Sequence, residues 1–165
     1  MDGFNGGFIA VNKLIEDGCR KIFGIFKSDD RQGLQRYAGF QEGIIESGLD
    51  LGNTEVRWFT TEDVIDHGMT MDGMLSVLKK KDIDGIVCYN DQVASAIIRD
   101  LTKNGVKIPI LVSFDNSYLC ETSAVPFLSL GHRKEELGSV AAAKLKSMIE
   151  GNAEKSEFLD WIMNN

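Results

Sequence analysis

The sequence predicts an α/β fold, a three-layer αβα sandwich built on a parallel sheet. Helical apolar spacing recurs along the chain, as in Ala94, Ile97, Ile98 and Leu101. Short runs rich in β-branched and aromatic residues lie between the helical segments. Short apolar strands that alternate with amphipathic helices are typical of a parallel sheet covered on both faces.

The order of these segments is regular. Helices are predicted at about 6–17 and 31–47, each followed by a glycine, at 91–104 and at about 133–149. A further helical stripe is formed by Met71, Met74, Leu75 and Leu78. Strands are predicted at 21–27, 56–60, 85–90, 109–115 and 127–130. The last predicted helix carries an apolar stripe at Leu137, Ala141, Leu145 and Met148.

The amino-acid composition argues against several classes of function. The 165 residues include 18 basic and 25 acidic ones, for a net charge of −7, so this chain lacks the basic face that holds a DNA duplex. Its three cysteines are widely spaced and it has two histidines, which argues against a disulfide framework or a zinc site and favours a reducing, cytoplasmic location. No apolar run is long enough for a membrane helix and no secretion signal opens the sequence. We expect no membrane partner and no metal or other cofactor.

Polar residues occur where the predicted strands end. The first strand ends at Lys27, the third at Asn90 and the fourth at Asp115, each beside an aromatic residue. Ligands of parallel sheets bind at the carboxyl ends of the strands, so these three side chains are expected to share one rim. Arg36 and Gln32 lie one turn apart on the helix after the first strand. Together these groups suit a small polyhydroxylated ligand.

Two other interpretations compete at the same positions. Asp29 and Asp30 after the first strand, with Asp91 after the third, resemble the acidic layout of a phosphoacceptor receiver, although the GHRKEE stretch after 127–130 lacks the expected Lys-Pro step. Asp30 also stands where a helix N-cap is needed. Catalysis by a nucleophile is not indicated, because no GxSxG motif or glycine-rich phosphate loop occurs.

Five segments carry a resemblance to a known family: DGFNGGFIAVNKLIEDGCRKI, RYAGF, YNDQVASAIIRDLTKNGVKIP, VSFDNS and HRKEELGSVAAAKL. Their order and spacing resemble the effector-binding region of the lactose/galactose repressor family. The stretches FKSDDRQG, FTTED and CYND are most similar to arabinose-responsive repressors, which join a winged-helix DNA-binding domain to this sensor. One departure is Ser113, where the family usually has glycine.

The resemblance implies roles for particular residues. It makes Arg36, Asn90 and Asp115 the positions that grip the effector. It also places Asp30 and Gln32 on the turn that reaches the same ligand. Phe59 lies near a position where an aromatic ring covers the sugar, and His132 lies near the cleft at a later strand-to-helix crossing. The implied ligand is a sugar, with L-arabinose the leading candidate.

The resemblance also implies that this chain is mainly one lobe of a type I periplasmic-binding-protein-like fold, in which two similar lobes enclose the sugar. Residues 1–126 would form the C-terminal lobe, and residues 127–165 a crossover segment whose helix covers the other lobe. Operator DNA would be bound only through a domain absent from this chain. A solute-binding protein of a sugar transporter shares the two-lobe fold and remains the alternative.

We further expect a homodimer to which residues 127–150 contribute, because an apolar helical stripe needs a partner surface. The family resemblance also makes the helix 91–104, with Ala94, Ile97 and Ile98, a dimer-contact surface.

Overall fold

A single six-stranded sheet organises the computed structural model, which describes residues 2–50, 52, 54–67, 76–78 and 82–164. The strands are β1 (Ile22–Lys27), β2 (Glu55–Phe59), β3 (Gly85–Cys88), β4 (Ile110–Phe114), β5 (Leu128–Gly131) and β6 (Ile162–Asn164). They lie in the order β2-β1-β3-β4-β5-β6, and all neighbours are parallel except β5 and β6. The carboxyl ends of five strands therefore meet at one edge.

Helices cover both faces of the sheet. They are α1 (Gly3–Glu16), α2 (Arg31–Glu46), α3 (Thr61–His67), α4 (Asp91–Lys103), α5 (Tyr118–Thr122) and α6 (Lys134–Ile149). Successive residues of β1 point to opposite faces, so Phe26 packs with α1 and α2 while Phe23 packs with α4. Because both faces are apolar, β1 is buried along nearly its whole length, as expected for a central parallel strand.

Glycines let α1 and α2 pack against each other at backbone distance. A Cβ on Gly7 would lie 2.0 Å from the carbonyl oxygen of Arg36, and one on Gly39 would lie 1.8 Å from that of Phe4. Any larger residue at these positions would push the helices apart. This packing fixes α2, and with it Arg36, against the sheet.

The predicted fold class is confirmed. Every predicted strand is present, with limits that differ by a residue or two, and the helices predicted at about 6–17, 31–47, 91–104 and 133–149 correspond to α1, α2, α4 and α6. The sequence analysis missed α3, α5 and β6, which are too short to show periodicity. The predicted stripe at Met71, Met74 and Leu75 lies outside the described residues, whereas Leu78 is buried in the core.

None of the residues of α6 is buried, whereas α1, α2 and α4 each bury several residues. Leu137, Leu145 and Met148 are 46%, 59% and 60% exposed, so the predicted apolar stripe does not pack on this chain's own sheet. By contrast α4 buries Ala94, Ile97 and Ile98 in the core. The expectation that these three side chains form a dimer contact is therefore wrong, because they already cover the sheet.

Within the described ranges, no helix is long and apolar enough to cross a membrane.

Candidate functional site

Arg36 is an almost fully buried charged side chain at the carboxyl edge of the sheet, with 1% of its surface exposed. Its Nη1 donates a 2.5 Å hydrogen bond to the carbonyl oxygen of Tyr89, and its guanidinium lies 4.2 Å from the centre of the Phe114 ring. Its Nη2 lies 3.5 Å from Oδ1 of Asp115. The residue thus connects α2 with the ends of β3 and β4.

Asp115 follows β4 and extends from a left-handed backbone with φ of 97°. Half of its side chain is exposed, so one side of the carboxylate meets Arg36 while the rest faces outward. Partial burial raises the pKa of Asp115, Arg36 opposes that shift, and the nearby Asp91 adds to it. Burial also lowers the pKa of Arg36, and Asp115 acts in the opposite direction. The pair is therefore an ion pair with a carboxylate open to further donors.

Asp30 anchors the start of α2. Its carboxylate accepts a 2.6 Å hydrogen bond from the backbone N–H of Gly33, as an N-cap does, and a 2.5 Å hydrogen bond from the hydroxyl of Tyr89. Lys27 Nζ lies 3.3 Å from the same carboxylate. Desolvation acts to raise the pKa of Asp30, but these hydrogen bonds and the ammonium of Lys27 outweigh it and lower the pKa.

Gly33 allows α2 to begin this close to β1. A Cβ on Gly33 would lie 1.9 Å from the carbonyl oxygen of Lys27, so only glycine permits the approach. The first turn of α2 therefore lies directly against the end of β1. Gln32 belongs to this turn, one turn before Arg36, and is partly exposed.

A pocket of about 280 Å³ opens beside this cluster. Its lining consists of Lys27, Phe59, Thr61, Val64, Tyr89, Asn90 and Gln92. The rings of Phe59 and Tyr89 meet edge to face at 5.6 Å and give the pocket an aromatic wall. Asn90 caps α4 by accepting a 3.1 Å hydrogen bond from the N–H of Val93, and its side chain also reaches the pocket.

The structure brings most of the predicted site residues together at one edge. Tyr89 joins Asp30 to Arg36, and Lys27 pairs with Asp30. Phe59 and Asn90 line the adjacent pocket. His132 lies apart, in a recess after β5. Its ring packs at a tilt against Trp161, with the ring centres 4.1 Å apart, and its Nδ1 lies 2.9 Å from the carbonyl oxygen of Asp160.

The sequence analysis gave Tyr89 only the role of an aromatic wall. In the structure its carbonyl oxygen and its hydroxyl hold Arg36 and Asp30 at once. Burial, followed by the hydrogen bond to Asp30, raises the pKa of Tyr89, so its hydroxyl stays protonated and donates. A tyrosine after a buried strand and before an N-cap residue could have indicated such a bridge, but its partners depend on the tertiary fold.

The phosphoacceptor interpretation fails at Asp91. This carboxylate is 1% exposed and accepts hydrogen bonds from Ser113, Ser129 and the backbone of Ser117, so it cannot meet a phosphodonor. Asp30 is similarly engaged as a helix cap. Among the described residues no group of three His, Cys, Asp or Glu side chains could hold a metal ion.

The edge of the sheet combines groups suited to reversible binding of a polar molecule. The carboxylate of Asp115 can accept hydrogen bonds from hydroxyls, and the amide of Asn90 can both donate and accept. The Phe59 and Tyr89 rings offer apolar surface for C–H groups. These properties are those of a small-molecule binding domain built on a parallel α/β sheet.

Comparison with known proteins specifies the family. The sequence profile of the periplasmic binding protein-like domain matches residues 11–160, and the chain belongs to this family. Its relatives are regulators of the LacI type. It is 31% identical over 155 residues to the arabinose metabolism transcriptional repressor of Halalkalibacterium halodurans, covering 91% of this chain and 41% of the relative. The repressor of the same name from Geobacillus stearothermophilus is 30% identical over 154 residues, covering 91% and 42%.

Solved structures agree with this assignment. A periplasmic binding protein/LacI transcriptional regulator from Alkaliphilus metalliredigens QYMF, complexed with D-xylulofuranose, superposes with a TM-score of 0.83 and 25% identity. The match covers 99% of this chain and 62% of that one. The chain spans less than half the length of the two arabinose repressors.

Proposed function

We propose that this chain forms one wall of the effector site in a sugar-responsive transcriptional repressor, and that L-arabinose is its leading ligand. The observation that carries the proposal is the ion pair of buried Arg36 with half-exposed Asp115, at the sheet edge where the aromatic pocket opens. The arabinose repressors that this chain resembles support the choice of sugar. A protein with this role binds its ligand and does not transform it.

Each site residue has a distinct role in the proposed complex. Asp115 accepts hydrogen bonds from sugar hydroxyls, and the buried Arg36 holds that carboxylate in place. Asn90 pairs with a further hydroxyl, and Phe59 covers the C–H face of the ring. Lys27, Asp30 and Gln32 complete the wall on the side of α2. His132, which lies apart from these residues in the recess after β5, is proposed as an outer contact of the same ligand.

The net charge of the wall favours a neutral ligand. Two cations, Lys27 and Arg36, are each within 3.5 Å of a carboxylate, from Asp30 and Asp115 respectively. A further carboxylate, that of Asp29, lies 3.6 Å from Lys27. Neither cation is therefore free to neutralise a phosphate or a sugar acid, whereas hydroxyls can bind to the paired charges without a cost in charge repulsion.

A second lobe completes the cleft in the proposed whole protein. Residues 1–126 form the C-terminal lobe, and residues 127–165 are the segment that crosses to the other lobe, whose surface covers the exposed apolar face of α6. Sugar stabilises one arrangement of the lobes and so shifts a population of conformers. The repressor acts as a homodimer in the cytoplasm and contacts operator DNA through a domain outside this chain.

A thermal-shift screen of pentoses and hexoses on the full-length protein tests this function. A ligand that binds only the folded state raises the melting temperature as its concentration exceeds Kd. We expect L-arabinose to give the largest rise, and Asp115→Ala to abolish most of it. A wild-type protein whose melting temperature no sugar changes would overturn the proposal. A larger rise in melting temperature with another sugar would support the sensor function and identify that sugar, in place of L-arabinose, as the ligand.

A further inference from the structure

A buried carboxylate lies at the same edge of the sheet as the proposed effector site. Asp91, the first residue of α4, is 1% exposed, and its Oδ1 accepts hydrogen bonds from the hydroxyls of Ser113 at 2.5 Å and Ser129 at 2.6 Å. Its Oδ2 accepts a 2.7 Å hydrogen bond from the backbone N–H of Ser117. The three donors come from β4, from β5 and from the start of α5, so a single side chain connects α4 to three other elements.

Such a group is costly unless every donor is in place. A carboxylate removed from water loses a large solvation free energy, which only well-directed, charge-assisted hydrogen bonds can offset. Movement of β4, β5 or the loop after β4 would break the bond that this element donates and leave the buried carboxylate short of a partner. The carboxylate of Asp91 therefore opposes movement of the three elements relative to one another.

The loop after β4 needs such restraint. Asp115 and Asn116 both have left-handed backbones, with φ of 97° and 44°, a region that few residues other than glycine adopt, although Asp and Asn do so more readily than most. The N–H of Asn116 donates a 2.9 Å hydrogen bond to Ser129 Oγ, and the N–H of Asp115 donates one of 2.8 Å to the carbonyl oxygen of Leu130. Ser129 thus joins the strained turn to Asp91, because its hydroxyl accepts from one and donates to the other.

We propose that Asp91 and Ser129 are positioning residues for the effector site, and that the chain Asp91–Ser129–Asn116 holds the left-handed turn from which Asp115 reaches Arg36. The link to ligand affinity rests on the proposed function, because it takes Asp115 as a ligand contact. The claim that these residues hold the turn rests on the hydrogen bonds alone. Neither residue touches the ligand itself.

The chain offers a matched control for Ser129. Ser113 is also fully buried, and its hydroxyl donates to the same oxygen of Asp91. Its side chain makes no described hydrogen bond to the turn. Each of the variants Ser113→Ala and Ser129→Ala therefore removes one hydroxyl donor to Asp91. Only Ser129→Ala also removes the acceptor of the Asn116 N–H.

Backbone amide hydrogen exchange in the full-length protein tests whether Ser129 holds the turn. We expect Ser129→Ala to accelerate exchange at Asn116 by about tenfold, the effect of losing one hydrogen bond, and Ser113→Ala to change it by less than about twofold. Ser129→Thr, which keeps the hydroxyl, should restore slow exchange. Equal exchange at Asn116 in the two alanine variants would overturn the proposal. If Ser129→Ala does not fold, Ser129→Cys, which keeps a side-chain atom at this position but only as a weak acceptor, replaces it in the comparison.

Calorimetric titration of the full-length protein with L-arabinose tests the link to affinity. Ser129→Ala should weaken binding by about tenfold while Ser113→Ala weakens it far less. With Asp115→Ala already present, adding Ser129→Ala should cost no further affinity, because Ser129 acts through Asp115. Additive losses would contradict the positioning role. If the wild-type protein binds neither L-arabinose nor another sugar, the proposed function fails, and hydrogen exchange still decides whether Ser129 holds the turn.

Discussion

Arg36 Nη2 lies 3.5 Å from Asp115 Oδ1, which joins a residue of α2 to the loop after β4 across the end of the intervening strand β3. The guanidinium is almost fully buried, whereas half of the carboxylate side chain is exposed. Removing the carboxylate would therefore leave a buried cation without its partner. The pair both stabilises the edge of the sheet and presents an acceptor to the cleft.

Asp115→Ala should reduce the sugar affinity of the full-length protein by about 2 kcal/mol or more, because buried hydroxyls of the ligand lose a charged acceptor. Isothermal titration calorimetry with L-arabinose measures the loss. Glu46→Ala, at the far end of α2, removes an exposed carboxylate and serves as the control. Unchanged affinity in Asp115→Ala would exclude this residue as a ligand contact.

Sugar affinity should fall at acidic pH, and earlier than for an ordinary aspartate. The pKa of Asp115 is raised above its usual 3.8, chiefly by burial, so protonation begins at a higher pH as the solution is acidified. Protonated Asp115 has fewer acceptor sites, and binding weakens as pH falls through the raised pKa. Calorimetry from about pH 7 to about pH 4 should show this decline in the wild-type protein. The weaker affinity of Asp115→Asn should be nearly independent of pH, and a parallel decline in that variant would assign the titration to another group.

Asp30→Ala should lower the free energy of unfolding by about 1 to 2 kcal/mol, because the N–H of Gly33 loses its cap. Asp30→Asn should cost less, since asparagine is also a good N-cap. Folding lowers the pKa of Asp30, so the contribution of its charge is present at neutral pH and is lost as pH falls through the lowered pKa. Urea denaturation of the three proteins measures these differences. Equal losses of unfolding free energy in Asp30→Ala and Asp30→Asn would show that the charge of Asp30, and not its role as an N-cap, stabilises the protein.

The chain by itself should form a homodimer through residues 127–150, because Leu137, Leu145 and Met148 of α6 are exposed. Leu145→Lys should shift the chain to monomer in sedimentation velocity experiments. Leu34→Lys replaces a similarly exposed leucine on α2 and should leave the dimer intact. A monomeric wild-type chain would contradict the prediction.

Local sequence determined most of the architecture. The apolar spacing of Ala94, Ile97 and Ile98 predicted a helix with one buried face, and α4 buries all three. The strand ends at Lys27, Asn90 and Asp115 predicted a shared edge, because parallel strands align their carboxyl ends. In both cases the pattern depends on residues that are neighbours in the chain or in the repeating geometry of the sheet.

Sequence alone could not determine which groups pair across that edge. The bridge of Tyr89 between Arg36 and Asp30 depends on the approach of α2 to β3, and the burial of Asp91 depends on serines from two other strands. Periodicity also identified the stripe on α6 but not what covers it. A hydrophobic pattern reflects burial averaged over a whole helix or strand. A hydrogen bond between distant residues depends on their positions to within a few tenths of an ångström, which only the packed structure decides.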